Sequence, residues 1–276
     1  MSKSSASSNL KTSITVNDLI EMKQRGEKIT ALTAYDVTFA RLIDEGGAEV
    51  ILVGDSLGMV IQGHETTLPV TIDEMVYHTK ACSKGVKRGL LVADMPFMSY
   101  QASVEQALMN AARCIKEGGA SAVKFEGGEE LAPTIRRLVE IGIPVMGHVG
   151  MQPQRVRMYG GFGLQGADSA EAKKIMRDAE AVAEAGAFAI VLEKIPRSLA
   201  KKITEKIKIP TIGIASGPDC DGQILVSYDM FGLTDQFKFR FVRKYIDMAQ
   251  EVRSAVGKYR DDIRAQTFPS ETESFE

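Results

Sequence analysis

The chain has 276 residues, 44% of them hydrophobic and 25% charged, with a formal net charge of -2. Near-balanced charge without a polybasic run argues against a nucleic-acid partner, and Gly, Pro or charge breaks every apolar run within roughly ten residues, too short for a membrane span. A chain of this size can bury a substantial core, and barrel folds of this length form one domain.

Residues 1–12 are Ser-rich, lack an apolar h-region and carry no Arg, so they read as a disordered tail, neither a secretory nor a transit signal. Cys82, Cys114 and Cys220 are odd in number and widely spaced. That is the usage of small buried residues in a reducing compartment, and a cytoplasmic location is expected. A helix over Val16 to Gln24, capped by Thr15 or Asn17, precedes the first apolar run. Eight short candidate strands then follow: Ile29 to Tyr35, Val50 to Gly54, Leu90 to Asp94, Ala122 to Phe125, Ile143 to Gly147, Ala187 to Leu192, Ile209 to Ile214 and Ile224 to Tyr228.

Helical patterns lie between most of them: Thr38 to Asp44, Ile72 to Lys84, Val104 to Lys116, Glu129 to Glu140, Ala170 to Glu184 and Ser198 to Lys206. Their apolar residues recur at three- and four-residue spacing, as in Val104, Ala107, Leu108, Ala111 and Ile115. Strand alternating with helix means a parallel sheet. The repeated punctuation Glu45-Gly-Gly-Ala48, Glu117-Gly-Gly-Ala120 and Glu184-Ala-Gly-Ala187 marks short helix-to-strand turns in which glycine just past the helix takes the left-handed C-cap conformation. Eight such units in roughly 240 residues predict an α/β fold, a (β/α)8 TIM barrel over residues 13–266, with an extra N-terminal helix and a C-terminal helical extension. A doubly wound open sheet is the alternative, but no Gly-x-Gly-x-x-Gly follows the first strand. The last unit, Asp221 to Gly232, reads as strand plus loop. The pattern from Phe237 to about Arg264 reads as one or two closing helices, and 267–276 as a frayed acidic tail.

In a barrel the C-terminal ends of all strands ring one mouth. Those ends carry Asp36, Asp55 with Ser56, Asp94, Lys124 with Glu126, His148, Glu193 and Ser216, whereas the opposite ends are bland. A single strand-end Asp is as readily a helix cap. Asp55 and Asp94 together, with Glu126 nearby, fit a divalent cation better, because crowded carboxylates repel unless neutralised. Oxygen donors without Cys partners favour a hard ion such as Mg²⁺.

Lys124 and Glu126 lie two apart and share a face, as a structural ion pair or as working groups. Glu193 ends the apolar run Phe188 to Leu192 and is a candidate general base; pairing with Lys194 is disfavoured, since adjacent strand residues face opposite ways. His148 could be a ligand, a hydrogen-bond donor or a core histidine, and within this ring the donor is favoured. His64 and His78 are weaker candidates, and Gly160-Gly-Phe-Gly163 reads as a lid-like loop. The chemistry implied is metal-assisted proton abstraction next to a carbonyl.

The motifs Thr33-Ala-Tyr-Asp36, Leu52-Val-Gly-Asp-Ser-Leu-Gly58, Thr67-Leu-Pro-Val-Thr71, Ala93-Asp-Met-Pro-Phe-Met-Ser-Tyr100, Val123-Lys-Phe-Glu-Gly-Gly128, Pro144-Val-Met-Gly-His-Val-Gly150, Val191-Leu-Glu193, Ile209-Pro-Thr-Ile-Gly-Ile214 and Cys220-Asp-Gly-Gln223 closely resemble those of ketopantoate hydroxymethyltransferases. That family is similar to the phosphoenolpyruvate/pyruvate barrel group. The resemblance implies that Asp55 and Asp94 ligate Mg²⁺ with Glu126 reaching it through water. It also implies that Asp55 and Asp94 bear on the substrate, that Ser56 holds the carboxylate of α-ketoisovalerate, that Lys124 and His148 bind oxygens of substrate or product, and that Glu193 removes the C3 proton. Methylene-tetrahydrofolate is then the co-substrate, and a homodecamer or other homo-oligomer is expected. The sequence departs from the family pattern at Met151-Gln152, Ala215-Ser-Gly217 and Ser227-Tyr-Asp229, positions near the mouth where the folate is expected. Two other readings are another Mg²⁺-dependent 2-oxo-acid lyase or aldolase, and a catalytically silent barrel kept for assembly or binding.

Overall fold

The computed structural model describes residues 13–235 and 239–275. The tail assigned to 1–12 and the start of the closing-helix pattern at Phe237 lie outside the described residues. The chain divides into two compact units, one running to Leu225 and the other starting at Val226.

In the first unit eight parallel strands close into a barrel in sequence order. They are β1 (Ile29–Thr33), β2 (Val50–Val53), β3 (Leu90–Asp94), β4 (Ala122–Lys124), β5 (Val145–Gly150), β6 (Ala189–Glu193), β7 (Thr211–Ile214) and β8 (Gly222–Leu225). β8 returns to β1 with Ile29 opposite Gly222 and Leu32 opposite Leu225. The open-sheet alternative is thereby excluded. Helix α1 (Val16–Arg25) starts on Thr15, which forms a capping box with Asp18. It is followed by α2 (Val37–Glu45), α3 (Leu57–Val60), α4 (Ile72–Ser83), α5 (Val104–Lys116), α6 (Ala132–Glu140), α7 (Val156–Tyr159), α8 (Ser169–Glu184) and α9 (Arg197–Lys206).

The strands divide their side chains by the two-residue period of extended chain. Ala31, Val50, Leu52, Leu90, Val92, Ala122, Met146, Ala189, Val191, Ile212 and Ile224 fill the barrel interior. The residues between them, such as Ala93, Val123, Val145, Val149, Ile190 and Leu192, pack outward against Ala107, Ala111, Cys114, Leu138, Val182 and Ile203 of the helices. All three cysteines are buried free thiols. Buried Asp44, at the end of α2, accepts hydrogen bonds from three successive backbone amides, Lys87, Arg88 and Gly89, the last at 2.6 Å. It thereby fixes the turn into β3, and three amides on one carboxylate form a charge-assisted nest.

Three sequence expectations are corrected in detail. β5 extends to Gly150, three residues beyond the apolar run, because polar His148 still pairs opposite Val191 and Gly150 opposite Glu193. β8 begins at Gly222, two residues before the expected run Ile224 to Tyr228, and ends at Leu225, since Ser227 already opens a helix; a Cβ at Gly222 would stand 2.5 Å from the Ile29 carbonyl oxygen. In the helix-to-strand turns the first residue stays helical and the second glycine takes positive φ, as at Gly47, Gly119 and Gly186.

The second unit contains α10 (Ser227–Met230) and the long helix α11 (Met248–Arg264). Only Ala249 of α11 is buried, and Val252, Val256, Tyr259 and Ile263 form an exposed apolar stripe along it. The acidic C-terminal segment forms a short 3-10 turn, Glu271–Glu273, closed by a Ser270–Glu273 capping box.

Candidate active site

Strand parity delivers four polar side chains to the mouth. Asp94 follows Leu90 and Val92 on the inward face of β3, Lys124 follows Ala122, His148 follows Met146, and Glu193 follows Ala189 and Val191. The register sets Asp94 opposite Lys124, and their charges meet at 2.8 Å. Lys124 Nζ lies 3.2 Å from His148 Nδ1. His148 Nε2 in turn lies 3.2 Å from Glu193 Oε2. A line of contacts thus crosses the mouth from β3 to β6. Glu193 keeps a 22% exposed side chain, while Asp94, Lys124 and His148 are buried.

Asp55 reaches the same place by another route. The inward position after Val50 and Leu52 is Gly54, and the chain turns there into α3, so Asp55 comes from the first residues of the loop. Its backbone N–H donates to Asp94 Oδ2 at 3.3 Å. Ser56 is next to it, its hydroxyl 2.8 Å from the Tyr35 hydroxyl. Glu126 lies just beyond β4, with Oε1 3.6 Å from His148 Nδ1 and 4.0 Å from Lys124 Nζ. The six residues Asp55, Asp94, Lys124, Glu126, His148 and Glu193 therefore converge.

The charges of this group are strained. Burial, then the neighbouring Asp94 charge, pushes the Asp55 carboxyl up to about 7. Burial also raises Glu126 well above the ordinary carboxylate range, against the pull of Lys124. For Lys124 burial favours the neutral amine, but Asp94, Glu126 and Asp55 outweigh it and hold the ammonium more firmly than usual. His148 is lowered by burial and by the Lys124 charge. A neutral imidazole beside a firm ammonium suits hydrogen bonding to a substrate oxygen, and a lysine so held is a poor amine nucleophile.

Among the described residues no group of three or more His, Cys, Asp or Glu side chains is spaced to enclose a metal ion. Two hard carboxylates remain, Asp55 and Asp94. Asp94 Oδ1 meets the Lys124 ammonium at 2.8 Å, and the upward displacement of Asp55, set first by burial and then by the Asp94 charge, is one that a bound cation would oppose. This donor set fits Mg²⁺, which is commonly held by one or two carboxylates and keeps water or substrate oxygens in its other positions.

Other strand-end residues play structural parts. Asp36 caps α2, accepting from the Thr38 and Phe39 amides at 2.8 and 2.9 Å; this is the helix-cap alternative for a strand-end acid. The Ser216 hydroxyl donates to the Leu192 carbonyl and ties two loops together. His78 Nδ1 donates to the Tyr35 carbonyl at 2.7 Å, and His64 is exposed in a loop. Lys194 points away from Glu193 and donates to the Phe162 carbonyl of the glycine-bearing loop.

Gln154 escapes sequence reasoning altogether. It is 4% exposed and sits in the 3-10 turn Pro153–Arg155 after β5. Its side chain donates to Asp55 Oδ2 and to the Met95 carbonyl, both at 2.9 Å. The turn is possible because Gly150 has φ +94°, with its Cα pressed against the Glu193 carbonyl. No local pattern marks a glutamine as a partner of a residue ninety-nine positions away.

A closed parallel barrel whose C-terminal mouth gathers three carboxylates, a lysine and a histidine in the buried state is a (β/α)8-barrel enzyme. Within that class the chain belongs to the ketopantoate hydroxymethyltransferase family, whose sequence model matches residues 13–271. It is 53% identical over 262 residues to 3-methyl-2-oxobutanoate hydroxymethyltransferase of Carboxydothermus hydrogenoformans, covering 95% of each chain. It is 51% identical over 268 residues to the enzyme of the same name from Pelobacter propionicus, covering 97% of this chain and 99% of that one. Its fold is shared with solved structures at low identity. One is 2,3-dimethylmalate lyase, a PEP mutase/isocitrate lyase superfamily member, at TM-score 0.62 and 16% identity over 90% of this chain and 88% of that one. Another is phosphonopyruvate hydrolase, at TM-score 0.58 and 16% identity over 94% of this chain and 92% of that one.

Proposed function

We propose that this enzyme transfers a hydroxymethyl group to C3 of 3-methyl-2-oxobutanoate (α-ketoisovalerate), giving ketopantoate, with methylene-tetrahydrofolate as the one-carbon donor. The observation that carries the reading is the run of contacts from Asp94 through Lys124 and His148 to Glu193. β2 and β6 stand on opposite sides of an eight-stranded ring. A 2-oxo acid seated beside Asp55 and Asp94 is therefore within reach of a base across the mouth.

Mg²⁺ held by Asp55 and Asp94, with Glu126 reaching it through water, would supply Lewis-acid stabilisation of negative charge on the substrate oxygens. Ser56 and the neighbouring backbone amide hold the substrate carboxylate. Lys124 and His148 bind the oxygens from the β4–β5 side. Glu193, the most exposed acid of the group, takes the proton from C3, and the C–H electron pair passes into the enolate. Water cleaves the two C–N bonds of the donor's methylene group, releasing tetrahydrofolate and a formaldehyde-level carbon; the enolate carbon bonds to that carbon, its C=O pair moves onto the oxygen, and the oxygen takes the proton back from Glu193 to become the hydroxyl. The chain functions in the cytoplasm as a homo-oligomer, and the apolar stripe on α11 supports self-association. No helix among the described residues is long and apolar enough to cross a membrane.

The test is exchange of the C3 hydrogen of 3-methyl-2-oxobutanoate into deuterated water with Mg²⁺, followed by product formation with and without methylene-tetrahydrofolate. Wild type exchanges and forms ketopantoate only with the folate; Glu193→Gln binds the oxo acid but loses exchange by at least a hundredfold. Wild-type exchange in Glu193→Gln would remove it as the base. Exchange without folate-dependent product would favour a lyase or aldolase instead.

A further inference from the structure

The acid–base reading makes no use of Gln154, yet both ends of its side-chain amide are fully bonded. Its Nε2 has two hydrogens and two acceptors, Asp55 Oδ2 and the Met95 carbonyl. Its Oε1 receives the Tyr100 hydroxyl at 2.8 Å and Gln101 Nε2 at 3.0 Å. The amide orientation is therefore determined: flipped, its oxygen would face a carboxylate and a carbonyl, both of them acceptors. The backbone N–H of the same residue donates to Glu126 Oε2 at 3.0 Å. The Tyr100 hydroxyl also bridges to the Glu126 main chain, 3.0 Å from its carbonyl and 3.2 Å from its amide.

One residue thus holds two carboxylates that arrive from different strands, by side chain and by backbone respectively. The amide fixes Asp55 Oδ2 and, with it, the direction in which Oδ1 is presented. We infer that Gln154 is a positioning residue that selects which oxygen of Asp55 is offered to a cation and ties that choice to the placement of Glu126. The inference rests on the reading of Asp55 and Asp94 as cation ligands. Groups that orient ligands in this way typically matter by 10- to 100-fold in metal affinity.

The test measures Mn²⁺ binding by electron paramagnetic resonance on the full-length protein without substrate, together with the kinetics of C3 exchange at saturating Mn²⁺. Gln154→Met keeps the length of the side chain and removes its hydrogen bonds. It is expected to keep its circular dichroism, to weaken Mn²⁺ about 10- to 100-fold, and to leave KM for the oxo acid within about threefold once metal is saturating. Tyr100→Phe, which removes one of the two donors to Gln154 Oε1 without touching a carboxylate, weakens Mn²⁺ in the same direction by less. A purely structural role would lower the melting temperature and leave the Mn²⁺ constant of the folded protein unchanged. Unchanged Mn²⁺ affinity in folded Gln154→Met overturns the inference, and should that variant not fold, unchanged affinity in Tyr100→Phe does so. Wild type and Asp55→Asn are the controls. If wild type binds no Mn²⁺, or Asp55→Asn binds it equally well, the cation reading falls and this inference with it; if both controls behave and Gln154→Met binds normally, only the inference falls.

Discussion

Replacing Gly150 by Ala tests how the end of β5 is built. An added Cβ would stand 2.4 Å from the Glu193 carbonyl oxygen and 2.7 Å from Ile195 Cγ2, on a residue with φ +94°. A left-handed backbone costs a residue with a Cβ about 1–2 kcal/mol, and forcing a methyl into packed structure typically costs about 1–3 kcal/mol more. A loss of about 3 kcal/mol follows, read as the shift in free energy of urea unfolding. The contact also lies where the Met151 amide donates to the Glu193 carbonyl at 2.8 Å. Relief by separating β5 from β6 moves Glu193 away from His148, and displacements of about 1 Å at a reacting group cost on the order of a hundredfold in rate. Gly160→Ala is the control, since Gly160 has φ +70° with nothing within 4 Å of an added Cβ. It should lose only the conformational cost, about 1 kcal/mol, and leave C3 exchange near wild type. Gly150→Ala with stability within about 0.5 kcal/mol of wild type, below the usual effect of overpacking, and unaltered exchange would refute the reasoning.

Two further outcomes follow from the buried charges. Asp55 is raised to about 7 in the folded chain, so between the ordinary carboxylate range and about 7 the folded state holds a proton that the unfolded state has released. Stability of the metal-free protein therefore falls as pH rises through that window. Mg²⁺ should raise the melting temperature more at pH 8 than at pH 5, and Asp55→Asn should flatten the metal-free slope; a slope unchanged in that variant would disprove the assignment. Asp44→Asn keeps the shape but removes the charge that three amides share. It should cost about 2–3 kcal/mol in urea unfolding, the scale of hydrogen bonds to charged groups, and a change under about 0.5 kcal/mol would show that the nest is dispensable.

The barrel was legible because its signals are local and repeated: eight apolar runs alternate with six helical patterns, and the helix-to-strand turn recurs three times. Asp94, Lys124, His148 and Glu193 were legible for a related reason, each lying two residues past a buried aliphatic on the inward side of its strand. Strand-end chemistry alone could not separate Asp36 from Asp55. Both follow the first strands as acids, but one finds two helix amides in its own loop while the other meets Asp94 at the end of the neighbouring strand. Gln154 was hidden because its value lies in partners from three other loops, and glutamine after proline is ordinary turn composition. The extent of β5 is not legible in apolarity, which ends at Gly147 while the ladder continues under His148 to Gly150.

The pairing of β8 with β1 gives the barrel a seam between its earliest and latest strands. While the chain is being made, the outer edge of β1 has no partner until residues 222–225 have left the ribosome, and an open edge can pair with another copy. Ribosome pausing or truncation shortly before Gly222 should therefore yield aggregates and not shortened barrels. A circularly permuted chain that begins at a different strand moves the seam, and with it the point in synthesis at which the fold becomes safe from its neighbours.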